Sequence, residues 1–117
     1  MSYTGWLLTD HDRARLLRKF PPIYPRVIAH HVTMTMEEAE LPIETTAVVV
    51  GEVDDGNGVQ ALVVQIGSTT RRPDGDTYHI TWSLGLDRKP VDSNAVLKNG
   101  WKKVWPVYIS LTPMIFE

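Results

Sequence analysis

The chain has 117 residues, of which 43% are hydrophobic and 22% charged, and its formal net charge is −2. These values are typical of one compact globular domain spanning residues 1–117, and they exclude two full domains or an intrinsically disordered chain. The absence of cysteine excludes disulfides, thiol nucleophiles, zinc fingers and iron–sulfur clusters.

The first part of the chain is predicted to form a strand, a helix and a second strand. Residues 3–8 form the first strand, and a helix capped by Thr9 or Asp10 continues to about residue 20, where two prolines end it. The second strand covers residues 26–36.

The central part of the chain is predicted to be a hairpin followed by a loop and a further strand. Residues 45–53 and 59–66 are rich in valine, and the Asp-Asp-Gly-Asn-Gly segment between them is typical of a hairpin turn. A polar loop at 68–76 leads to residues 77–84, where polar and apolar residues alternate as in a strand.

The last part of the chain is predicted to form a short helix and a final strand. Asp92 or Ser93 caps a helix that ends near Lys98. Residues 104–116 are apolar but contain two prolines, so we expect an edge or closing strand. The order of elements predicts an α+β fold with a mainly antiparallel sheet and two short helices.

Two of the predicted strands carry the same four-residue pattern. The first is His31-Val32-Thr33-Met34, and the second is His79-Ile80-Thr81-Trp82, which begins 48 residues later. Because residues i and i+2 of a strand share a face, each strand presents an imidazole and a hydroxyl on one side and apolar side chains on the other.

These eight residues resemble the two His-x-Thr/Ser-x motifs of the 2H phosphoesterases, which include RNA 2′,3′-cyclic phosphodiesterases and 2′-5′ RNA ligase-like proteins. The resemblance implies two small lobes of sheet and helix around a cleft. It also implies hydrolysis of a 2′,3′-cyclic phosphate RNA end or a related cyclic nucleotide, with no metal and no cofactor. Family members are commonly longer and their motifs lie further apart, so this chain would be a trimmed version.

The residue types suit this chemistry for physical reasons. A phosphodiester cleaved without a metal needs one group that takes a proton from the attacking oxygen and another that gives one to the leaving oxygen. Two histidines with pKa values of about 6.5 can do both at neutral pH. His31 and His79 are therefore the candidate acid–base pair, and the sequence leaves open which is the acid. The hydroxyls of Thr33 and Thr81 are candidate donors to the phosphate oxygens.

Positive charge is concentrated outside the middle of the chain. Residues 27–70 contain seven acidic residues and no Lys or Arg, so this segment has a net charge of −7 and the remainder +5. Two basic segments could flank one anionic ligand if the fold brings them together; otherwise they are solvated surface charges. Weak candidates for substrate binding are Arg71, Arg72 and Lys98.

The remaining histidines are predicted to have no catalytic role. His30 is expected to face away from His31 in a structural or buried position, and His11 to be exposed at the start of a helix. A regular strand cannot direct His30 and His31 at one ion, so no metal site is predicted. Tryptophans such as Trp82 could stack on bases, but packing is the favoured role.

Partners and location are constrained more loosely. No apolar run approaches the ~20 residues of a membrane span, and the N-terminal residues lack the pattern of a signal peptide. We therefore expect a cytoplasmic protein with no membrane partner. The low net charge argues against long duplex DNA, which needs a broad basic surface. An RNA terminus or a small cyclic nucleotide is the expected partner.

Three functions are compatible with the sequence. The first is the 2H-type cyclic phosphodiesterase, a hydrolase. The second is a non-catalytic nucleotide- or RNA-binding module of an RNA repair system. The third is a structural or interaction domain in which the paired motifs are coincidental. The first predicts that both imidazoles line one cleft, within ~5–8 Å of each other across a phosphate, whereas the third predicts two separate surfaces.

Overall fold

The computed structural model describes residues 2–37 and 40–117, in which nine elements succeed one another along the chain. In chain order they are β1 (Tyr3–Leu8), α1 (Asp10–Lys19), β2 (Arg26–Val27), β3 (His31–Thr35), β4 (Thr46–Asp54), β5 (Val59–Gln65), β6 (His79–Leu84), α2 (Asp92–Lys98) and β7 (Lys102–Phe116). All pairings between these strands are antiparallel, so the α+β class with two helices is confirmed.

The strands form a single sheet that closes on itself. Its order is β2-β6-β3-β1-β7-β4-β5, and β5 also pairs with β6. Because β6 pairs with both β3 and β5, six strands form a ring, while the short β2 lies beside β3 along the same edge of β6. The expected division into two lobes is therefore wrong, since β7 pairs with both β1 and β4 and joins the first and central strands.

The inner face of this ring encloses the hydrophobic core. Apolar side chains that alternate along each strand are buried here, among them Val32, Ile80 and Trp82, and α1 contributes Leu16. The buried indole N–H of Trp82 is hydrogen-bonded, since Nε1 donates to the carbonyl of Phe20 at 2.7 Å. Packing is thus the role of Trp82, as expected from its position in the motif.

Helix α1 begins as its sequence predicts and is fixed to β7. Thr9 caps it by accepting from the Asp12 amide at 3.3 Å. The buried Asp12 carboxylate accepts from the Ser110 amide at 2.7 Å and from Arg15 at 2.9 Å. No helix in the described part of the chain is long and apolar enough to cross a membrane.

The strand predicted at residues 26–36 is divided in two at Ala29. This residue has a φ of 45°, in the left-handed region that a non-glycine residue rarely adopts. Two hydrogen bonds hold this conformation. The Ala29 amide donates to the backbone carbonyl oxygen of Thr81 at 3.0 Å, and the Ala29 carbonyl accepts from Arg13 Nε at 2.8 Å. The break interrupts the alternation of side chains, so His30 is exposed beside His31. The prediction that His30 faces away in a buried position was wrong.

Of the two positions expected for the last strand, an edge or a closing strand, the structure excludes the edge, because β7 lies inside the sheet. β7 pairs with β1 on one side and β4 on the other. Its two prolines are accommodated where no hydrogen bond is needed. Pro106 falls in an irregularity of the β4 pairing, and Pro113 lies beyond the end of β4, whose pairing stops at Ser110.

Candidate functional site

The two His-x-Thr motifs lie next to each other on β3 and β6. These strands are antiparallel, and Val32 is paired with Ile80. Extending this register by one residue in each direction places His31 opposite Thr81 and Thr33 opposite His79. In a sheet, direct cross-strand neighbours have Cβ atoms about 5 Å apart and diagonal neighbours lie about 7–8 Å apart, and in this register His31 and His79 are diagonal neighbours. The motifs are therefore related by the local antiparallel symmetry.

The motif side chains that point away from the core open into one pocket of about 310 Å³. The pocket is lined by Tyr3, His31, Thr33, Met36, Arg72, His79, Thr81, Pro90, Val91 and Asn94. All four candidate residues of the motifs are thus brought together, with one of the three weaker basic candidates. Two separate surfaces, as a coincidental pair of motifs predicts, are not observed.

His79 is held in a defined tautomer. Its side chain is buried, with 8% of the residue exposed, and its Nδ1 lies 2.7 Å from the Thr77 carbonyl oxygen. Since a carbonyl only accepts, Nδ1 carries the proton and the Nε2 of the neutral ring is free to accept one. Burial lowers the pKa of His79, and the charge of Arg72 acts in the same direction, against the opposing effects of Thr77 and Asp76.

His31 is held by its aromatic neighbours. Its ring centroid lies 5.7 Å from that of Tyr3 and 5.0 Å from that of Phe116, and its Nδ1 is 3.0 Å from the Nδ1 of His30. Burial lowers the pKa of His31 to about 4, with further contributions from the charges of His30 and His79. Both motif imidazoles are therefore neutral at pH 7 before a ligand binds.

The two threonine hydroxyls differ in their surroundings. Thr81 Oγ1 lies 3.0 Å from the Oγ of the buried Ser93 and 3.4 Å from the Pro90 carbonyl oxygen. If Ser93 donates to Thr81, the Thr81 proton can turn from the long Pro90 contact to a ligand. The Thr33 hydroxyl makes no hydrogen bond within residues 2–37 and 40–117, so it can donate to a ligand directly.

Arg72 is the basic residue of the pocket. It is only 5% exposed, and it binds Asp74 through two contacts, of 2.6 Å from Nη2 and 3.2 Å from Nε, with Asp76 at 3.5 Å. The same ion pair lowers the pKa of Asp74. Arg72 therefore brings positive charge to the pocket in a fixed orientation, partly neutralised by its partners.

The other two basic candidates lie outside the pocket. Arg71 is exposed and forms an isolated backbone bridge with Thr77. The Lys98 side chain is 71% exposed, and its Nζ lies 3.7 Å from Asp76. The two basic segments of the sequence do not converge on the pocket, because several of their arginines bind backbone carbonyls or carboxylates elsewhere, as Arg88 binds Asp55 at 3.0 Å.

Sequence reasoning missed the contribution of α2. This helix begins after Val91 with no side-chain cap, so Asp92 and Ser93 do not cap it as predicted. Ser93 instead supports Thr81, and the neighbouring Asn94 lines the pocket with a buried Oδ1 that has no hydrogen-bond partner in the described part of the chain. The contact of Ser93 with Thr81 joins residues of α2 and β6, and a tertiary contact of this kind has no signal in the sequence around Ser93.

One glycine allows the strands around the site to approach closely. Gly5 of β1 pairs with Thr33 of β3. A Cβ atom at Gly5 would collide with the Val32 carbonyl oxygen and would lie 3.0 Å from the Thr33 Cα. The position of the first motif therefore depends on the missing side chain at residue 5.

Comparisons of this chain with protein-family models, with curated proteins and with solved structures find no match. Within residues 2–37 and 40–117, no group of three or more His, Asp or Glu side chains is arranged to hold a metal ion. The residues of the pocket are therefore the features of this chain that indicate a function.

Proposed function

We propose that this protein is a metal-independent phosphodiesterase that hydrolyses a 2′,3′-cyclic phosphate at an RNA end or in a related cyclic nucleotide. The observation that carries the proposal is that His31, Thr33, His79 and Thr81 line one pocket from two adjacent strands. As diagonal neighbours on adjacent strands, the two imidazoles can both contact a phosphate bound between them.

The reaction needs a water molecule, a base and an acid. One imidazole takes a proton from the water as its oxygen forms a bond to phosphorus, and the other gives a proton to the ribose oxygen as its bond to phosphorus breaks. The hydroxyls of Thr33 and Thr81 donate to the nonbridging oxygens. Arg72 adds positive charge where negative charge develops, in a site that is largely removed from water.

The substrate itself contributes to the protonation of the site. Both imidazoles have lowered pKa values in the free protein, and His31 is affected by the charge of His79. A bound phosphate monoanion stabilises an imidazolium beside it and so raises these pKa values. Binding is then coupled to proton uptake at the site.

The size of the pocket favours a small ligand or a chain terminus. A volume of about 310 Å³ lies at the small end of the range for small-molecule sites. Pro90 and Val91 provide an apolar wall beside the polar residues. This combination suits one nucleotide with its phosphate and not a long duplex.

The decisive experiment is turnover of a substrate panel in the presence of EDTA. The panel contains 2′,3′-cyclic mononucleotides, an RNA ending in a cyclic phosphate, 2′-5′-linked oligonucleotides and cyclic dinucleotides. We expect cleavage of a 2′,3′-cyclic phosphate, reduced about 10²-fold or more by His31→Ala and by His79→Ala. His11→Ala is the matched control, because His11 is an exposed histidine of α1 outside the pocket.

The outcomes separate the three functions. Binding of a panel member without turnover would contradict catalysis and favour the nucleotide- or RNA-binding module. A folded protein that neither binds nor cleaves any member would contradict both. Turnover that is unchanged in both histidine variants would place the reaction elsewhere on the molecule.

A further inference from the structure

The imidazole rings of His30 and His31 contact each other through their Nδ1 atoms. The Nδ1 of His30 lies 3.0 Å from the Nδ1 of His31, and the rings are nearly perpendicular at 79°. A hydrogen bond between two imidazole nitrogens needs one proton between them, so one ring donates and the other accepts. The direction of this bond decides which nitrogen of His31 carries its own proton.

The surroundings of the two rings determine that direction. His30 is exposed, whereas His31 is partly buried between Tyr3 and Phe116. A positive charge is held more easily on the exposed ring, because water solvates it there. Burial lowers the pKa of His31 to about 4 and so acts in the same direction. The shared proton therefore belongs to His30, and neutral His31 has its proton on Nε2.

We propose that His30 is a positioning residue that donates its Nδ1 proton to His31, so that His31 presents a protonated Nε2 as the general acid while His79 presents a bare Nε2 as the general base. This inference rests on the proposed function. It assigns the two roles that the sequence leaves open. The two motif histidines have equivalent positions in the sheet, and their partners at Nδ1, His30 and Thr77, make them different.

The proton transfers balance when His30 is an imidazolium. As water attacks phosphorus, its proton passes to Nε2 of His79, which becomes an imidazolium. As the ribose oxygen leaves, it takes the Nε2 proton of His31, and the Nδ1 proton of His30 passes to Nδ1 of His31. His30 and His31 both end neutral. One positive charge has moved from the exposed ring to His79, and solvent returns the proton afterwards.

The backbone places His30 in this position at the expense of strain. Ala29 has a φ of 45°, and Arg13 donates to the Ala29 carbonyl at 2.8 Å. Strained backbone of this kind is concentrated at functional sites. In a regular strand His30 would point away from His31. In the described part of the chain, Tyr3 of β1 and His79 of β6 are titratable groups near the pair, and Arg13 of α1 binds the carbonyl of the preceding Ala29.

The tautomers can be measured without any turnover. Long-range ¹H–¹⁵N NMR spectra of the ¹⁵N-histidine protein at pH 7 distinguish a protonated from a bare ring nitrogen. We expect His31 to be protonated at Nε2 and His79 at Nδ1. A proton on Nδ1 of His31 would overturn the inference whether or not the protein is an enzyme.

Kinetics then test the proton transfer. His30→Asn keeps an amide donor that can hold the His31 tautomer but cannot give up a proton, whereas His30→Ala removes both properties. We expect His30→Asn to retain the NMR tautomer and the KM but to lower kcat at least about tenfold. His11→Asn should have none of these effects.

The two proposals fail in different ways. Turnover that is normal in both His30 variants would overturn the role of His30 and leave the phosphodiesterase intact. The expected tautomers without turnover of any panel member would overturn the phosphodiesterase and with it the role of His31 as an acid. The histidine tautomers would then be a structural feature of a binding site.

Discussion

The charge of Arg72 contributes to the lowered pKa of His79, beside the larger effect of burial. The buried guanidinium lowers the pKa of His79 in addition to the effect of burial. In Arg72→Gln this charge is lost and Asp74 and Asp76 lose a cationic partner, so the pKa of His79 should rise. An NMR titration of the His79 ring measures the shift. Arg71→Gln is the matched control, because Arg71 is exposed outside the pocket, and an equal shift in both variants would contradict the argument.

The lowered pKa of His79, and its expected rise in Arg72→Gln, predict how catalysis depends on pH. The base must be neutral, so kcat/KM falls as the pH drops through the lowered pKa of His79. We expect this acid limb below pH 6.5 in the wild type and at higher pH in Arg72→Gln, beside a general loss of activity. An acid limb of the wild type above pH 6.5 would exclude His79 as the base.

His31 makes stability depend on pH. The unfolded chain binds a proton on this residue at a pKa near 6.5, whereas the folded protein does so only at about 4. The contribution of His31 is therefore fully present above pH 6.5 and is lost as the pH falls towards 4. By pH 5 the free energy of unfolding should fall by about 2 kcal/mol from this group.

Urea denaturation at pH 7 and pH 5 measures this loss. In His31→Phe, which keeps an aromatic ring beside Tyr3 and Phe116, the difference between the two pH values should be smaller. An equal difference in the wild type and the variant would show that His31 does not have the lowered pKa.

Asn94 is expected to lower the stability of the protein and to strengthen ligand binding. Its Oδ1 is buried in the pocket without a hydrogen-bond partner in the described part of the chain, which costs about 1–3 kcal/mol. Asn94→Leu removes that cost and should raise Tm. An acceptor oxygen binds donors such as a sugar hydroxyl, so the variant should bind a cyclic nucleotide more weakly and inorganic phosphate equally well. Calorimetry measures both ligands, and a lower Tm with unchanged nucleotide affinity would contradict this role.

Strands β1 and β3 are fitted to each other at Gly5. In Gly5→Ala the new Cβ would collide with the Val32 carbonyl oxygen, so β3 would have to move together with the first motif. We expect a loss of about 2–3 kcal/mol in the free energy of unfolding and changed NMR signals of His31. Thermal denaturation and NMR test this expectation, and a variant with wild-type stability would show that the strands accommodate a methyl group.

Elements that depend on local sequence were predictable, whereas features that depend on tertiary contacts were not. Helix α1 and the hairpin strands β4 and β5 were predicted near their observed bounds because capping, valine content and turn residues are local properties. The break at Ala29 was not predictable, since alanine rarely adopts a positive φ and is held here by Arg13 and β6. For the same reason the sequence did not reveal the position of His30.

The candidate site was predictable as far as strand periodicity extends. Alternation within β3 and β6 correctly placed each His and Thr on the face opposite the core. It could not distinguish Arg72 from Arg71, because both precede β6 in a loop without regular alternation. It also could not find Asn94, which reaches the pocket only because α2 crosses the outer face of the sheet.

At the scale of the whole molecule, closure of the sheet unites residues that are distant in sequence. The pairing of β6 with β3 joins the two motifs, whereas the resemblance implied two lobes facing each other. Closure depends on long-range register, which the pattern of a single strand does not determine. The pocket therefore lies along a junction between neighbouring strands.

The junction between β3 and β6 is the least extensively paired part of the ring, and the exchange rates of its amide protons should show this. Strands β3 and β6 share one register pair in the described chain, whereas β1 and β7 share six. Local opening there disrupts few hydrogen bonds, so we expect the amides of β3 and β6 that face this junction to exchange with deuterium faster than those in the middle of β1. A phosphate bound between the motifs would contact both strands on the face opposite the core and so stabilise their pairing. Ligand binding would then be recorded as slowed exchange on both strands, even for a ligand that is never turned over.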